Sequence, residues 1–314
     1  MFLCVSANPA IDKRLRLTRL TPGHVHRAIE ALPTPGGKAA HVAMVLHELG
    51  ADPLWIGFVG GANGQELMSG LRRRNIRVLG IPIKEATREN LEIIEDDGVV
   101  TEILEPGPEC SELEIKNLLD ACGSAFTAPE EPKIAVLSGS LPKSAPMDLY
   151  ARLIRLGNSH GCKMFLDSSG EALRLGLAAQ PYFVKPNREE AEWLTGTTLG
   201  SVAAGANAVR QLIAEGAKSA AISLGDSGLL WRPAESECVY YAHPVKVAVR
   251  SAVGSGDATV AAFAFAADSG MSAEETLRLA AACGAANCLA ESPGNVQAAD
   301  IRRLQKEVRI EILS

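Results

Sequence analysis

A chain of 314 residues, 47% of them hydrophobic, can build one large α/β domain or two small ones around an ample core. Its net charge of -6, with no basic run longer than Arg72-Arg73-Arg74, excludes the footprint of a nucleic-acid binder. No apolar stretch approaches the ~20 residues of a membrane span. The N-terminus runs straight into a polar loop without a charged leader, and the seven cysteines are odd in number, scattered and never in a Cys-x-x-Cys pair, which points to the cytoplasm and to no zinc site.

In chain order, Phe2 to Ser6 is a short apolar strand that Asn8-Pro9 ends, so Asp12 emerges just beyond it. From Lys13 to about Leu32 charged and apolar residues alternate, as in a strand with one wet face. Gly36-Gly37 opens a helix whose Val42, Val45, Leu46 and Leu49 recur at helical spacing and which Gly50 stops. Lys38 and His41, three residues apart, share one face of its first turn. Ile76 to Ile83, Asn90 to Glu95 and Val99 to Leu104 read as three strands, the last two joined by an Asp96-Asp97-Gly98 hairpin turn. From Ser111 onward helices and strands alternate, which predicts parallel βαβ winding, and no linker or repeat divides the chain. The organising stretch is Val253-Gly254-Ser255-Gly256-Asp257-Ala258, where a glycine-flanked turn opens a helix. Its uncapped amides and the positive end of the helix dipole make an anion hole, with the Asp257 carboxylate at its mouth.

Taken by themselves these residues leave alternatives open. Asp257 is a general base beside a phosphoryl group or merely a helix cap. Asp12 holds a hydroxyl or faces solvent, and Lys38 meets a ligand or is surface charge. Asn187 and Glu190 stand at the spacing of a helix capping box and also of an Asn-x-x-Glu magnesium site.

The order of six motifs narrows the choice. Pro35-Gly36-Gly37-Lys38, Ser138-Gly139-Ser140-Leu141-Pro142, Leu166-Asp167-Ser168-Ser169-Gly170-Glu171-Ala172-Leu173, Lys185-Pro186-Asn187-Arg188-Glu189-Glu190, Ser223-Leu224-Gly225 with Gly228, and Gly254-Ser255-Gly256-Asp257 together resemble the PfkB (ribokinase-like) carbohydrate kinases from about residue 3 to 295, specifically the 1-phosphofructokinase and tagatose-6-phosphate kinase branch. The resemblance implies one ribokinase-like domain over 1–314: a doubly wound, mostly parallel sheet with helices on both faces. A small β lid, over about 12–33 and 77–105, covers the sugar and mediates a homodimer. It implies an ATP-dependent sugar-phosphate kinase using magnesium, with Asp257 as base and the amides of Gly254, Ser255 and Gly256 holding the transferred charge. Asp12, Gly37, Lys38, His41, Ser138 and Arg88, the last in Thr87-Arg88-Glu89-Asn90, fall to the sugar phosphate. Lys185, Asn187, Ser223, Gly225, Gly228 and Asn287 fall to the nucleotide, Asn287 reaching toward the adenine. Asp167, Asn187 and Glu190 would organise magnesium, mostly through water. A potassium ion would rest on carbonyls of Ser251 and Val253 and of the stretch from Ser292 to Asn295.

The chain departs from that branch on the sugar side. Histidine replaces asparagine at His26 and His41, alanine replaces glycine at Ala39, and Glu92 stands where a lysine is usual. Glu92 argues for the alternative of an unphosphorylated sugar or nucleoside as acceptor. A non-catalytic sensor would have no need of the intact Gly-Ser-Gly-Asp, and a nicotinamide dehydrogenase is disfavoured because no Gly-x-Gly-x-x-Gly follows the first strand.

Overall fold

The computed structural model describes residues 1–313. The elements run β1 (Phe2–Ser6), β2 (Ala10–Leu17), β3 (Glu30–Gly36), α1 (Lys38–Glu48), β4 (Pro53–Val59), α2 (Gly61–Arg73), β5 (Arg77–Pro82), β6 (Arg88–Glu95), β7 (Val100–Leu104), α3 (Glu112–Phe126), β8 (Ile134–Ser138), α4 (Leu149–Ser159), β9 (Lys163–Asp167), α5 (Gly170–Leu177) and β10 (Phe183–Val184). They continue through α6 (Arg188–Thr195), α7 (Val202–Ala214), β11 (Ser219–Ser223), β12 (Leu229–Arg232), β13 (Val239–Ala242), α8 (Ser255–Ser269), α9 (Ala273–Leu289), α10 (Ala298–Gln305) and β14 (Ile310–Leu313).

Ten strands form one sheet in the order β14-β13-β12-β11-β10-β9-β8-β1-β4-β5, parallel from β5 to β11 and antiparallel from β11 to β14. Every residue of the central strand β1 is buried, as expected of a strand covered on both faces. One face packs against residues such as Leu118, Leu149, Leu173 and Val209 of α3, α4, α5 and α7. The other packs against α1, α2, α8, α9 and α10. On that second face Phe263 of α8 sits 4.7 Å from Phe183 and 5.1 Å from Trp231, centroid to centroid, which fixes α8 over β10 and β12.

The smaller sheet, β3-β2-β6-β7, pairs β2 with β6 in parallel and β2 with β3 and β6 with β7 antiparallel. One expected strand lies elsewhere. The segment from Ile76 to Ile83 supplies β5, which adds to the edge of the large sheet beside β4 instead of joining the lid. Alternation with polar neighbours is common to a lid strand and an edge strand, so the pattern could not separate them. The C-terminal elements α10 and β14 had no distinct signal in the sequence, and β14 completes the antiparallel edge.

Candidate active site

The carboxyl ends of the parallel strands converge, as binding crevices do in open α/β sheets. Ser6, Ser138, Asp167, Lys185 and Ser223 all stand at or just beyond such ends. Above them opens a cleft of ≈ 490 Å³ roofed by the small sheet and lined by Asp12, Lys38, His41 and Arg88 on one side and by Lys185, Asn187, Glu190 and Ser223 on the other, with Gly254, Gly256 and Asp257 between. A smaller cleft of ≈ 300 Å³, at Ile134, Lys163 and Asp268, lies at the opposite end of the strands, away from these groups.

Gly254 caps α8 with φ 82°, a conformation that suits glycine, and turns the chain so that the first amides of the helix face the cleft. The Ser255 amide is already bonded to the Ala252 carbonyl at 3.1 Å, which leaves the neighbouring amides of Gly254, Gly256 and Asp257 as the candidates for the expected anion hole. A Cβ on Gly256 would come within 3.2 Å of the Lys185 ammonium, so glycine there lets a cation approach the turn closely. Lys185 itself is buried.

Beneath the cleft, Asp167 is 1% exposed and answers two lysines: Lys38 Nζ lies 3.3 Å from its Oδ2 and Lys185 Nζ 3.7 Å from its Oδ1. Burial alone would raise the Asp167 pKa, but Lys38 and Lys185 outweigh it and hold the carboxyl below the usual 3.8. Lys38 is likewise penalised by desolvation, yet Asp167, Asp257 and Glu190 keep it charged and raise its pKa. Ser138 donates to Asp167 Oδ2 at 3.3 Å and is buried, which places it behind the cleft wall; Ser140, bonded to Asn8 at 3.1 Å, reaches the surface in its stead.

Asp12 extends from β2 and accepts from Asn90 of β6 at 2.9 Å. Its desolvation is outweighed by His41, Asn90 and the Gly37 backbone, which together lower its pKa. The bare Gly36 is essential to this fit: an added Cβ would sit 2.3 Å from the Asp12 carboxyl carbon. His41, 3% exposed, lies between two carboxylates, with Nδ1 2.7 Å from Asp257 and Nε2 2.9 Å from Asp12. Arg88 donates to the carbonyls of Glu105 at 2.9 Å and Asn8 at 3.2 Å while its buried Nε has no hydrogen-bond partner, so one edge of the guanidinium remains unspent.

On the side of the cleft expected to take the nucleotide, Asn187 and Glu190 form a complete capping box at the start of α6, and both line the cleft. Among the described residues no group of three or more His, Cys, Asp or Glu side chains forms a ready metal cage. Gly225 and Gly228 shape the turn after β11; Gly228 is pressed to within 2.4 Å, for an added Cβ, of the Ala242 carbonyl. For Asn287 the resemblance implies adenine contact. In the structure its amide donates to the Val253 carbonyl at 2.7 Å and accepts from the Gly294 amide at 2.8 Å, tying the turn before α8 to the loop after α9.

The departures expected on the sugar side separate clearly. His26 is bonded to Thr21 in an exposed loop, and Ala39 is buried in the first turn of α1. Glu92 is buried and doubly bonded by Arg14, at 2.8 and 3.0 Å, and it also accepts from Ser251, while Arg14 reaches on to the Glu291 carbonyl. This brace ties the lid to the turn that opens α8. Arg14, Asn90, Ser140 and this role of Glu92 escaped the sequence reading. Their partners lie 78 residues or more away along the chain, so no local spacing announces them.

The chain is similar to known proteins over nearly all of its length. The description "pfkB family carbohydrate kinase" matches residues 6–299, and the chain belongs to that family of ATP-dependent carbohydrate kinases. It is 36% identical over 286 residues to a 1-phosphofructokinase of Xanthomonas campestris, covering 89% of this chain and 88% of the relative. It is 31% identical to a tagatose-6-phosphate kinase of Staphylococcus epidermidis over 99% of both chains. A crystal structure of phosphofructokinase-2 from Escherichia coli in complex with potassium superposes with a TM-score of 0.89 at 28% identity, covering 98% of each chain.

Proposed function

We propose that this kinase transfers the γ-phosphoryl group of ATP to a hydroxyl of a sugar phosphate of the fructose-1-phosphate or tagatose-6-phosphate type, with Asp257 as general base. The observation that carries this reading is the convergence of Asp257, the α8 amides and Lys185 opposite Asp12, Lys38 and Arg88 in one cleft. The acceptor hydroxyl would hydrogen-bond to Asp257 while the amides of Gly254 and Gly256 and the Lys185 ammonium meet the transferred charge, so the protein contributes mainly position and electrostatics. The pairing of Glu92 with Arg14 bears on the acceptor. A free carboxylate there would repel a substrate phosphate, whereas a neutralised one leaves Arg88 and Lys38 to attract it. ADP release with ATP and magnesium over a panel of phosphorylated and free sugars tests the assignment. Preference for a free sugar or nucleoside would overturn the phosphorylated acceptor, and inertness on the whole panel would overturn the kinase activity.

Magnesium fits this site as an ion carried by the nucleotide: it keeps most of its waters, and Asn187 and Glu190 line the cleft to meet them, while Asp167 beneath has an Oδ1 that accepts no hydrogen bond and stands 3.7 Å from the Lys185 ammonium. When bound it would offset phosphate charge. Potassium fits the backbone between the Asn287-tied loops, where the Val253 carbonyl keeps a second lone pair after accepting from Asn287. Exchanging sodium for potassium at constant ionic strength is therefore expected to raise turnover or tighten nucleotide binding in dialysed enzyme with saturating magnesium. Identical kinetics in both salts would remove the ion.

Dimerisation through the lid is supported by its exposed apolar side chains: Ile29, Leu32, Ile103 and Leu104 are between 37 and 60% exposed on β3, β7 and the segment before β3. The expected sedimentation mass is that of two chains, reduced to one by Ile103→Lys. A parent protein that sediments as one chain would sink this arrangement.

A further inference from the structure

His41 is the one sugar-side departure that reaches the reacting centre. Its ring is buried between carboxylates that come from different parts of the fold, Asp12 from the lid strand β2 and Asp257 from α8 of the main body. The Nδ1 contact is in line for a hydrogen bond; the Nε2 contact is as close but not so aligned, and acts as an ion pair. A neutral imidazole has one N–H and one lone pair, so it can satisfy only one of two flanking carboxylates; an imidazolium satisfies both.

We propose that His41 is a positioning residue of the phosphoryl-transfer reaction: as an imidazolium it bridges Asp12 and Asp257 and holds the sugar-binding carboxylate and the base at a fixed separation. This rests on the kinase activity proposed above and adds to it a charged link between the lid and the reacting carboxylate. An asparagine at this position carries no charge and cannot bridge in this way, so the link belongs to this chain's own sequence.

The electrostatic surroundings favour the charged ring. Burial opposes its charge, but Asp12 and Asp257 outweigh burial and push its pKa from 6.5 up to about 10. Glu102 of β7 adds to the negative field and is itself raised, by desolvation and then by Glu92, Asp12 and Asp257. Lys38, on the same helix, is the opposing cation near Asp257, and the loop after α9 brings Gly294 against the His41 Cα and Cβ. A histidine raised in this way stabilises the fold in full below pH 6.5, and that contribution is lost as pH rises toward about 10.

Three measurements on the full-length protein test the link. In the resting wild type, ring nitrogen shifts of His41 should report an imidazolium through pH 8, with no titration near 6.5; a neutral ring at pH 7 overturns the proposal without any assay. In His41→Gln and His41→Asn, kcat for the sugar should fall about tenfold below pH 8 and the deficit should narrow toward pH 10, where the wild-type ring itself loses its charge, with the KM for ATP unchanged. A packing role alone would lower kcat equally at every pH. Thermal stability should fall between pH 6.5 and 10 in the wild type and lose that dependence in both variants. If the wild type phosphorylates a sugar and both variants keep its kcat at every pH, His41 is overturned alone; if the wild type is inert on every acceptor, this role falls together with the kinase activity.

Discussion

Asp257→Asn is expected to lower turnover by ~10²-fold or more while ATP affinity stays within a few-fold of the parent. The amide keeps the size and planarity of the carboxyl and can still face His41, but it has lost the basic oxygen lone pair that would take the acceptor proton. Because Asp257 is 5% exposed and sits in the first turn of α8, the variant also tests whether the residue serves only as a helix cap. No side-chain cap bond from it is seen: the N-cap is Gly254, which has no side chain to offer. Loss of a cap would appear as lower thermal stability with nearly normal turnover, and that pattern would take Asp257 out of the base role. Steady-state kinetics with both substrates and a melting curve decide between the two.

Arg88→Ala should raise the KM for the sugar phosphate by roughly 10- to 100-fold and leave the KM for ATP nearly unchanged, since a charge-assisted hydrogen bond to phosphate is worth about 1.5–3 kcal/mol. The structure adds a control. Arg88 also donates to the carbonyls of Asn8 and Glu105, so the alanine variant loosens the turn before β2 as well as any grip on phosphate. Arg88→Lys keeps the charge and loses the forked geometry; an intermediate KM for the sugar phosphate in that variant would point to phosphate. If both KM values rise together in both variants, Arg88 is holding the lid in place and not the substrate.

The mostly parallel sheet was legible in the sequence because its strands are short, buried on both faces and separated by helices with their own start and stop signals. The α6 capping box is an example: Asn187 and Glu190 stand three residues apart, and the structure forms both reciprocal bonds. The organising turn was legible for the same reason, since Gly254 and Gly256 carry their conformational meaning locally. Where the reading slipped, the signal was ambiguous between two sheets. Arg77 to Pro82 alternates as a lid strand would, yet its partner is β4.

By itself, then, the sequence determined the winding of the domain and the glycine turn with Asp257 at its mouth, which depend on residues within a few positions of one another; the lysines and carboxylates expected in the cleft came from the family resemblance. Only the tertiary structure decided what those charges do to each other. It alone pairs Glu92 with Arg14 and Ser251, turning an apparent obstacle to phosphate into a brace. It also commits Asn287 to the loops flanking α8, draws Ser138 behind Asp167, and sets His41 between Asp12 and Asp257, the latter 216 residues away in sequence. Charge pairing acts through space over a few ångströms and is indifferent to sequence separation, so it becomes visible only when the lid and the main sheet are brought together.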